Sequence, residues 1–456
     1  MRYAQKSPLP PFTRGNYLHH FMKLPISPAS NIKGTLTVPG DKSISHRAAI
    51  FGALASGETK ITNFLHAADT DSTLKVLRQL GATITEQADG TVSVQGCAGQ
   101  FNAPQEALFC GNSGTSMRLM LGVLAGYEFK STFSGDESLS RRPMDRVSVP
   151  LTEMGAQISG QGERCLPPVT LQGGNLRGVC YALPVASAQV KSAILLAGLR
   201  AEGQTAVIEK TPSRDHTEQM LQGFGATLDI KVLFDGGREI IINGGQQLRA
   251  ADVNVPGDIS SAAFFFAAAA LRPGWQVTVQ NVGINPTRSG ILEVLEEMGA
   301  KVLLDNQRQS GGEQVADVTV IGAPLRGVEI GGSLIPRLID ELPVLAALAT
   351  QAEGETVIRD AHELRVKESD RIEIISRELR KMGADIEERE DGMIVRGPLQ
   401  LKGAEVTSPP GDHRIAMTLA VAALAADGDT ILQNAEAIQS SFPNFMEVLD
   451  SVAKRK

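Results

Sequence analysis

The stretch TVPGDKSISHRAAIFGALASGETKITN, residues 37–63, carries the pattern that decides the fold. An apolar, alanine-rich run ends at Gly57, and a β-branched stretch follows to Asn63. The same succession returns as LMLGVLAGYEFKSTF at 119–133, SAILLAGLRAEGQTAVI at 192–208, SAAFFFAAAALRPGWQVTV at 261–279, LPVLAALATQAEGETVI at 342–358 and AMTLAVAALAADGDTIL at 416–432. Each reads as a buried helix, a terminating glycine and a strand, because glycine ends helices without strain and β-branched side chains suit strands. The glycines Gly57, Gly126, Gly203, Gly274, Gly354 and Gly428 stand roughly 70–80 residues apart, a period longer than that of the common solenoids.

A second glycine series, Gly81, Gly155, Gly225, Gly299 and Gly383, follows an amphipathic helix in each unit, as in VLRQLGATI at 76–84. A further strand closes the unit, so the expected repeat is βαβαββ. Six units are read, the last cut short at FMEVLDSVAKRK without its Gly-Ala. TVPGDKS at 37–43 and NVPGDIS at 254–260 open the first and fourth units alike, which predicts two domains of three units each. The first globule is placed at 40–255 and the second at 29–39 plus 256–456, with crossovers near 39–41 and 254–258. The strand NIKGTLTVP at 31–39 is expected to complete the shortened sixth unit.

Composition narrows the function. With 456 residues, 42% hydrophobic and 21% charged, the chain has the material for large cores and not the profile of a disordered protein. Aromatics at 4% and a net charge of −7 argue against stacking platforms for single strands and against nonspecific binding of nucleic acid. The longest apolar run, AAFFFAAAAL at 262–271, is too short to span a bilayer, so no membrane role is expected. Cys97, Cys110, Cys165 and Cys180 show no CxxC and no histidine at metal spacing; a reduced, cytoplasmic protein without a metal is expected, with Cys110 a buried thiol. No Walker loop or dinucleotide GxGxxG occurs, so no cofactor is expected. Residues 1–28 lack a signal peptide's apolar run and are expected to be a disordered leader, with Met22 an alternative start. Two self-contained globules predict a monomer.

The beginnings of the six buried helices read DKSISHRAA, NSGTSMRLM, SAQVKSAIL, DISSAAFFF, IDELPVLAA and DHRIAMTLA. If the units pack around local threefold axes these starts converge, and their free N–H groups and dipoles form an anion site. Lys42, Arg47, Arg118, Lys191 and Arg414 lie within a turn or two of the starts, Arg142 lies in SRRPMDRV, and RVKESDR occupies 365–371. Taken singly, DKSISHR is an ordinary helix cap and RVKESDR a salt-bridged helix start. Together, in an acidic protein, they point to a small polyanionic ligand. Asp340 and Glu368 are carboxylates amid these cations and suit proton transfer, with Glu341 a competing candidate. His46, His216, His362 and His413 read as structural.

In order along the chain, PGDKSISHR, GNSGTSMR, RRPM, SAQVKSA, RVKESDR, DHRIAM and SFP resemble the EPSP synthase (3-phosphoshikimate 1-carboxyvinyltransferase) family from about residue 30 to the end. SAQVKSA and LRVKESDR look most like its bacterial class II branch. The resemblance implies an α/β fold of two inside-out α/β barrels of the enolpyruvyl transferase type, each of three βαβαββ repeats, closing on substrate. It implies transfer of the enolpyruvyl group of phosphoenolpyruvate to the 5-hydroxyl of 3-phosphoshikimate, in the shikimate pathway to chorismate and aromatic amino acids. By motif, Lys42, Ser43, Arg47, Ser187, Ala188, Gln189, Arg214, Asp340 and Lys367 would contact 3-phosphoshikimate. Lys42, Gly114, Arg142, Gln189, Arg371 and Arg414 would hold phosphoenolpyruvate. Asp340 would be the base at the 5-hydroxyl, and Glu368 with Lys42 would serve the proton at C3. Many members carry Lys two residues before the terminal Phe-Pro where this chain has Ser440, so that contact is not carried over. Gly114 stands where tolerant class II enzymes can carry Ala, which implies competitive inhibition by glyphosate. The sister transferase acting on UDP-N-acetylglucosamine is the alternative enzyme, although no cysteine here sits in a loop motif matching its acid. A noncatalytic phosphometabolite-binding protein is the other reading, and it has no use for Asp340 and Glu368 together.

Overall fold

Helices form where the apolar segments predict them: Lys42–Leu54, Gly114–Leu124, Ala188–Gly198, Ile259–Ala270, Leu342–Ala349 and His413–Leu424. The computed structural model describes residues 22–310 and 312–455. Every residue of the last three helices is buried, as a helix apolar on all sides requires. Small side chains let the helices touch. A Cβ on Gly122 would lie 2.3 Å from the carbonyl oxygen of Ala193 on the neighbouring helix.

The predicted helix-ending glycines take positive φ at Gly57, Gly203, Gly274, Gly354 and Gly428, and throughout the second series. Gly126 does not. It makes room for Arg200, whose Cβ lies 2.8 Å from where a Cβ on Gly126 would be.

In the second, third, fifth and sixth units the buried helix links two parallel strands, and in the first five units the amphipathic helix leads into an antiparallel pair. In the second unit the spatial order is Leu108–Phe109, Lys130–Ser134, Leu166–Gln172, Gln157–Gln161. The third and fifth units repeat it, with Cys180–Ala182 and Glu329–Ile330 as their first strands. The described residues form six separate sheets, and none closes on itself. The helices lie inside and the sheets outside, so the expected barrel is a ring of open sheets around a helical core.

The exchange of strands at the crossovers corrects one expectation. Ala29–Thr37 pairs in parallel with Gln276–Gly283 of the fourth unit on one edge and antiparallel with Ala453–Arg455, the end of the sixth, on the other, so it joins the two units rather than completing the sixth alone. Val253–Asn254, from just before the fourth unit, pairs in parallel with Ile61–Thr62 and completes the first. Both strands end at a Val-Pro-Gly-Asp, the point where the chain passes from one core to the other. The sixth sheet is closed instead by Lys23–Ile26, antiparallel to Thr430–Gln433. The expected leader therefore ended too late: residues 1–21 lie outside the described residues, whereas Lys23–Ile26 is a strand with Ile26 buried.

Two apolar cores result, one from Ile44 to Val255 and one joining Ile26–Val38 to Ile259–Val452. At the crossovers the two connections pair with each other. Asp41 N donates to Pro256 O at 2.8 Å and Asp258 N to Pro39 O at 2.9 Å. Buried Arg288 lies between them, 3.1 Å from Asp258 and 4.0 Å from Asp41. No described helix is long and apolar enough to cross a membrane.

Candidate active site

Five of the six core helices begin at a side-chain cap: Asp41, Ser113, Ser187, Asp258 and Asp412 each accept from a backbone N–H in the first turn. These starts face a cavity of about 510 Å³ between the two cores, lined by residues from all six. Every residue singled out from the sequence as substrate-contacting or catalytic lines it: Lys42, Ser43, Arg47, Gly114, Arg142, Ser187, Ala188, Gln189, Arg214, Asp340, Lys367, Glu368, Arg371 and Arg414.

From the first core come the cations. Arg47 is buried and held by Thr217 Oγ1 at 2.7 Å, Ser192 Oγ at 2.8 Å and Ser43 O at 3.1 Å. Burial lowers its pKa to about 10. Arg142 donates to Asn112 Oδ1 at 2.7 Å, and Lys42 Nζ pairs with Asp69 at 3.0 Å. Arg118 donates to Gln189 Oε1 at 2.8 Å, and Gln189 in turn donates to Thr115 Oγ1 at 2.9 Å.

From the second core come the carboxylates and further cations. Asp340 meets Arg214 at 2.6 Å across the cleft, Arg371 at 3.3 Å, Lys367 at 3.7 Å and Arg414 at 3.9 Å. Burial by itself raises its pKa, but Lys367, Arg414, Arg214 and Arg371 together outweigh it and hold Asp340 well below the ordinary carboxylate range. Glu368 meets Arg371 at 2.6 Å and Arg142 at 3.5 Å across the cleft. Burial opposes its ionisation too, yet Arg371, Arg142 and Lys42 hold it well below the ordinary value. Both acids are therefore ionised at neutral pH.

Other sequence candidates lie elsewhere. Lys191, grouped with the cleft cations, points inward to Glu209 at 3.0 Å and Glu218 at 2.7 Å, with all three buried. A lysine inside a core needs such partners, and these use its charge up. Glu341 is buried behind Asp340, where it accepts from Ser260 Oγ and does not line the cavity. His46 is a core residue 2.7 Å from Thr73 Oγ1, and burial pulls it down to about 3. Cys110 does not line the cavity, and burial pushes its thiol up to about 12, unlike a loop nucleophile. Ser440 also stands off the cavity, 3.1 Å from His413 Nδ1.

The sequence reading missed Arg146 and Glu363, which pair bidentately across the cleft at 2.7 and 2.9 Å. The signal for Arg146 was present, four residues beyond Arg142 in RRPMDR. Among the described residues no group of three or more His, Cys, Asp or Glu is placed to hold a metal.

Cations from both cores and the carboxylates Asp340 and Glu368 face one cavity, a lining that suits small anions and proton transfer. The model of the EPSP synthase (3-phosphoshikimate 1-carboxyvinyltransferase) family matches residues 26–449. The chain belongs to the EPSP synthase family. It is 52% identical over 431 residues to the 3-phosphoshikimate 1-carboxyvinyltransferase of Bacillus cereus, covering 94% of this chain and 99% of that one. Against the enzyme of the same name from Desulforamulus reducens it is 50% identical over 432 residues, with the same coverage. An EPSP synthase structure from Acinetobacter baumannii superposes with a TM-score of 0.83 at 45% identity, covering 95% of this chain and 98% of that chain. An enolpyruvyl transferase from Streptomyces tendae shares the fold, with a TM-score of 0.74 at 20% identity over 94% of this chain and 96% of the other. Residues from all six helix starts, rather than from any one motif, line the cavity.

Proposed function

We propose that this chain transfers the enolpyruvyl group of phosphoenolpyruvate to the 5-hydroxyl of 3-phosphoshikimate, giving 5-O-(1-carboxyvinyl)-3-phosphoshikimate and phosphate. The observation that carries this reading is the pairing of Asp340 and Glu368 with cations from both cores around one cavity. In the addition step C3 of the enol takes a proton from Glu368, assisted by Lys42, and C2 becomes electrophilic. The 5-oxygen attacks C2 while Asp340 takes the hydroxyl proton. Elimination then returns a C3 proton to Glu368 and breaks the bond from C2 to the phosphate oxygen, and the proton held by Asp340 leaves with the phosphate, so both acids regain their starting states.

Lys42, Ser43, Arg47, Ser187, Ala188, Gln189, Arg214 and Lys367 hold 3-phosphoshikimate in this reading. Lys42, Gly114, Arg142, Gln189, Arg371 and Arg414 hold phosphoenolpyruvate. The substrates' own negative charge then has a catalytic consequence. A phosphate that engages Arg214 and Lys367 competes for the cations now stabilising ionised Asp340, and makes it a stronger base. Phosphoenolpyruvate on Arg142 and Arg371 does the same to Glu368, the direction a proton donor needs. Clamping two anions side by side supplies orientation as well as charge neutralisation.

Residues 40–255, and 29–39 plus 256–455 joined by the strand Lys23–Ile26, act as two jaws that close about the crossovers near 39–41 and 254–258; their separate cores and paired connections support this. SAQVKSA and LRVKESDR favour the class II branch, and the absence of Ala at Gly114 favours inhibition by glyphosate competitive with phosphoenolpyruvate. The enzyme is read as a cytoplasmic monomer acting on small anions without nucleic acid. Purified protein mixed with both substrates tests the reaction through phosphate release. Glyphosate titrated against phosphoenolpyruvate tests the inhibitor, and a flat inhibition curve rejects it.

A further inference from the structure

The segment Ser213–His216 is anchored at every residue, and only Arg214 uses its side chain on the cavity's central carboxylate. Within the first core Ser213 is fixed by Glu209, which accepts from Ser213 N at 3.2 Å and from Ser213 Oγ at 2.7 Å. Lys191 Nζ reaches Ser213 O at 3.4 Å. From the second core come two further anchors. Asn285 Nδ2 donates to Asp215 Oδ1 at 2.8 Å, and His216 Nδ1 lies 2.7 Å from Glu313 Oε1. Asn285 also donates to Glu313 Oε2 at 3.0 Å, so the two second-core residues brace each other. His216, Asn285 and Glu313 are all buried. Neither Asn285 nor Glu313 lines the cavity.

We propose that Glu313 and Asn285 are positioning residues that hold Arg214 over Asp340 by pinning the two residues that follow it. Arg214 is a long side chain whose 2.6 Å contact depends on where its backbone sits. Its immediate neighbours Asp215 and His216 are tied to the opposite core, so the backbone register of Arg214 is set by contacts the reacting groups never touch. This makes formation of the Arg214 subsite conditional on the two cores meeting. The inference rests on the reading of Arg214 as a 3-phosphoshikimate contact.

The test is steady-state kinetics of Glu313→Ala, with Asn285→Ala as a second variant, and thermal unfolding measured alongside. The expected result is a rise in KM for 3-phosphoshikimate of about 10-fold, with KM for phosphoenolpyruvate changed less than about 2-fold. In an Arg214→Ala background the same substitutions should add almost nothing, because residues acting through one side chain are not additive. Equal rises in both KM values, or a full further loss in the Arg214→Ala background, overturn the proposal, as does an unchanged KM in both single variants. Wild-type enzyme assayed in parallel separates the two failures: if it releases no phosphate, the proposed function itself is wrong.

Discussion

Asp340 carries the sharpest consequence at the scale of a single residue. It is the meeting point of Arg214, Arg371, Lys367 and Arg414, and no other carboxylate of the cavity touches cations from so many elements. Asp340→Asn should keep 3-phosphoshikimate binding by calorimetry while turnover falls by roughly 10²–10⁴-fold, the span expected for loss of a general base. Unchanged turnover would remove Asp340 from the mechanism. Glu368 makes a different prediction, because its low pKa in the free site has to rise before it can donate. The sign follows from that rise: a carboxylate ionised before binding and protonated after it takes a proton up. Calorimetry in buffers of different ionisation enthalpy should show greater proton uptake on phosphoenolpyruvate binding for the wild type than for Glu368→Gln, increasingly so toward pH 5. Equal proton counts would contradict the role. The identities of these acids were legible in the sequence as carboxylates embedded in basic motifs. Their partners across the cleft were not, because a pairing such as Arg142 with Glu368 joins residues far apart in the chain.

Among the elements, the start of the Gly114–Leu124 helix is the most exacting. A Cβ on Gly114 would lie 2.7 Å from Arg118 Nη1 and 3.5 Å from Arg142 Nη1, and Arg118 holds Gln189. Gly114 lacks a positive φ, so Ala is compatible with the backbone and favours the helix. Gly114→Ala should therefore keep or raise the unfolding midpoint while KM for phosphoenolpyruvate rises on the order of 10-fold. A variant with unaltered KM would show that Arg118 yields without cost. The helices and their capped starts were readable because length, alanine content and terminal glycine are local signals. The strand exchange was not, since nothing in NIKGTLTVP tells a strand which sheet it joins. Lys191 was misplaced for a related reason: a lysine one turn into a cationic helix start looks the same whether it faces the cleft or, as here, Glu209 and Glu218.

Where the chain passes between the two cores, the paired crossovers bring Asp41 and Asp258 to either side of the Arg288 guanidinium. Burial opposes ionisation of Asp258, and the nearby Asp41 charge adds to this, so the pair depends on the guanidinium between them. Arg288→Ala leaves two carboxylates buried together and should destabilise the protein by about 3–5 kcal/mol in chemical denaturation. A loss below about 1 kcal/mol would mean that the crossovers are held by their backbone pairing alone. The net charge of −7 averages an acidic remainder of the chain with a cleft rich in lysine and arginine.

In the proposed reaction this cleft joins two anions and expels a third. Phosphate release measured on mixing the purified protein with phosphoenolpyruvate and 3-phosphoshikimate tests it most directly. Release is expected only when both are present, in equal amount to 5-O-(1-carboxyvinyl)-3-phosphoshikimate, and none with UDP-N-acetylglucosamine in place of the shikimate. No release with both substrates, or release that requires the nucleotide sugar instead, would contradict it.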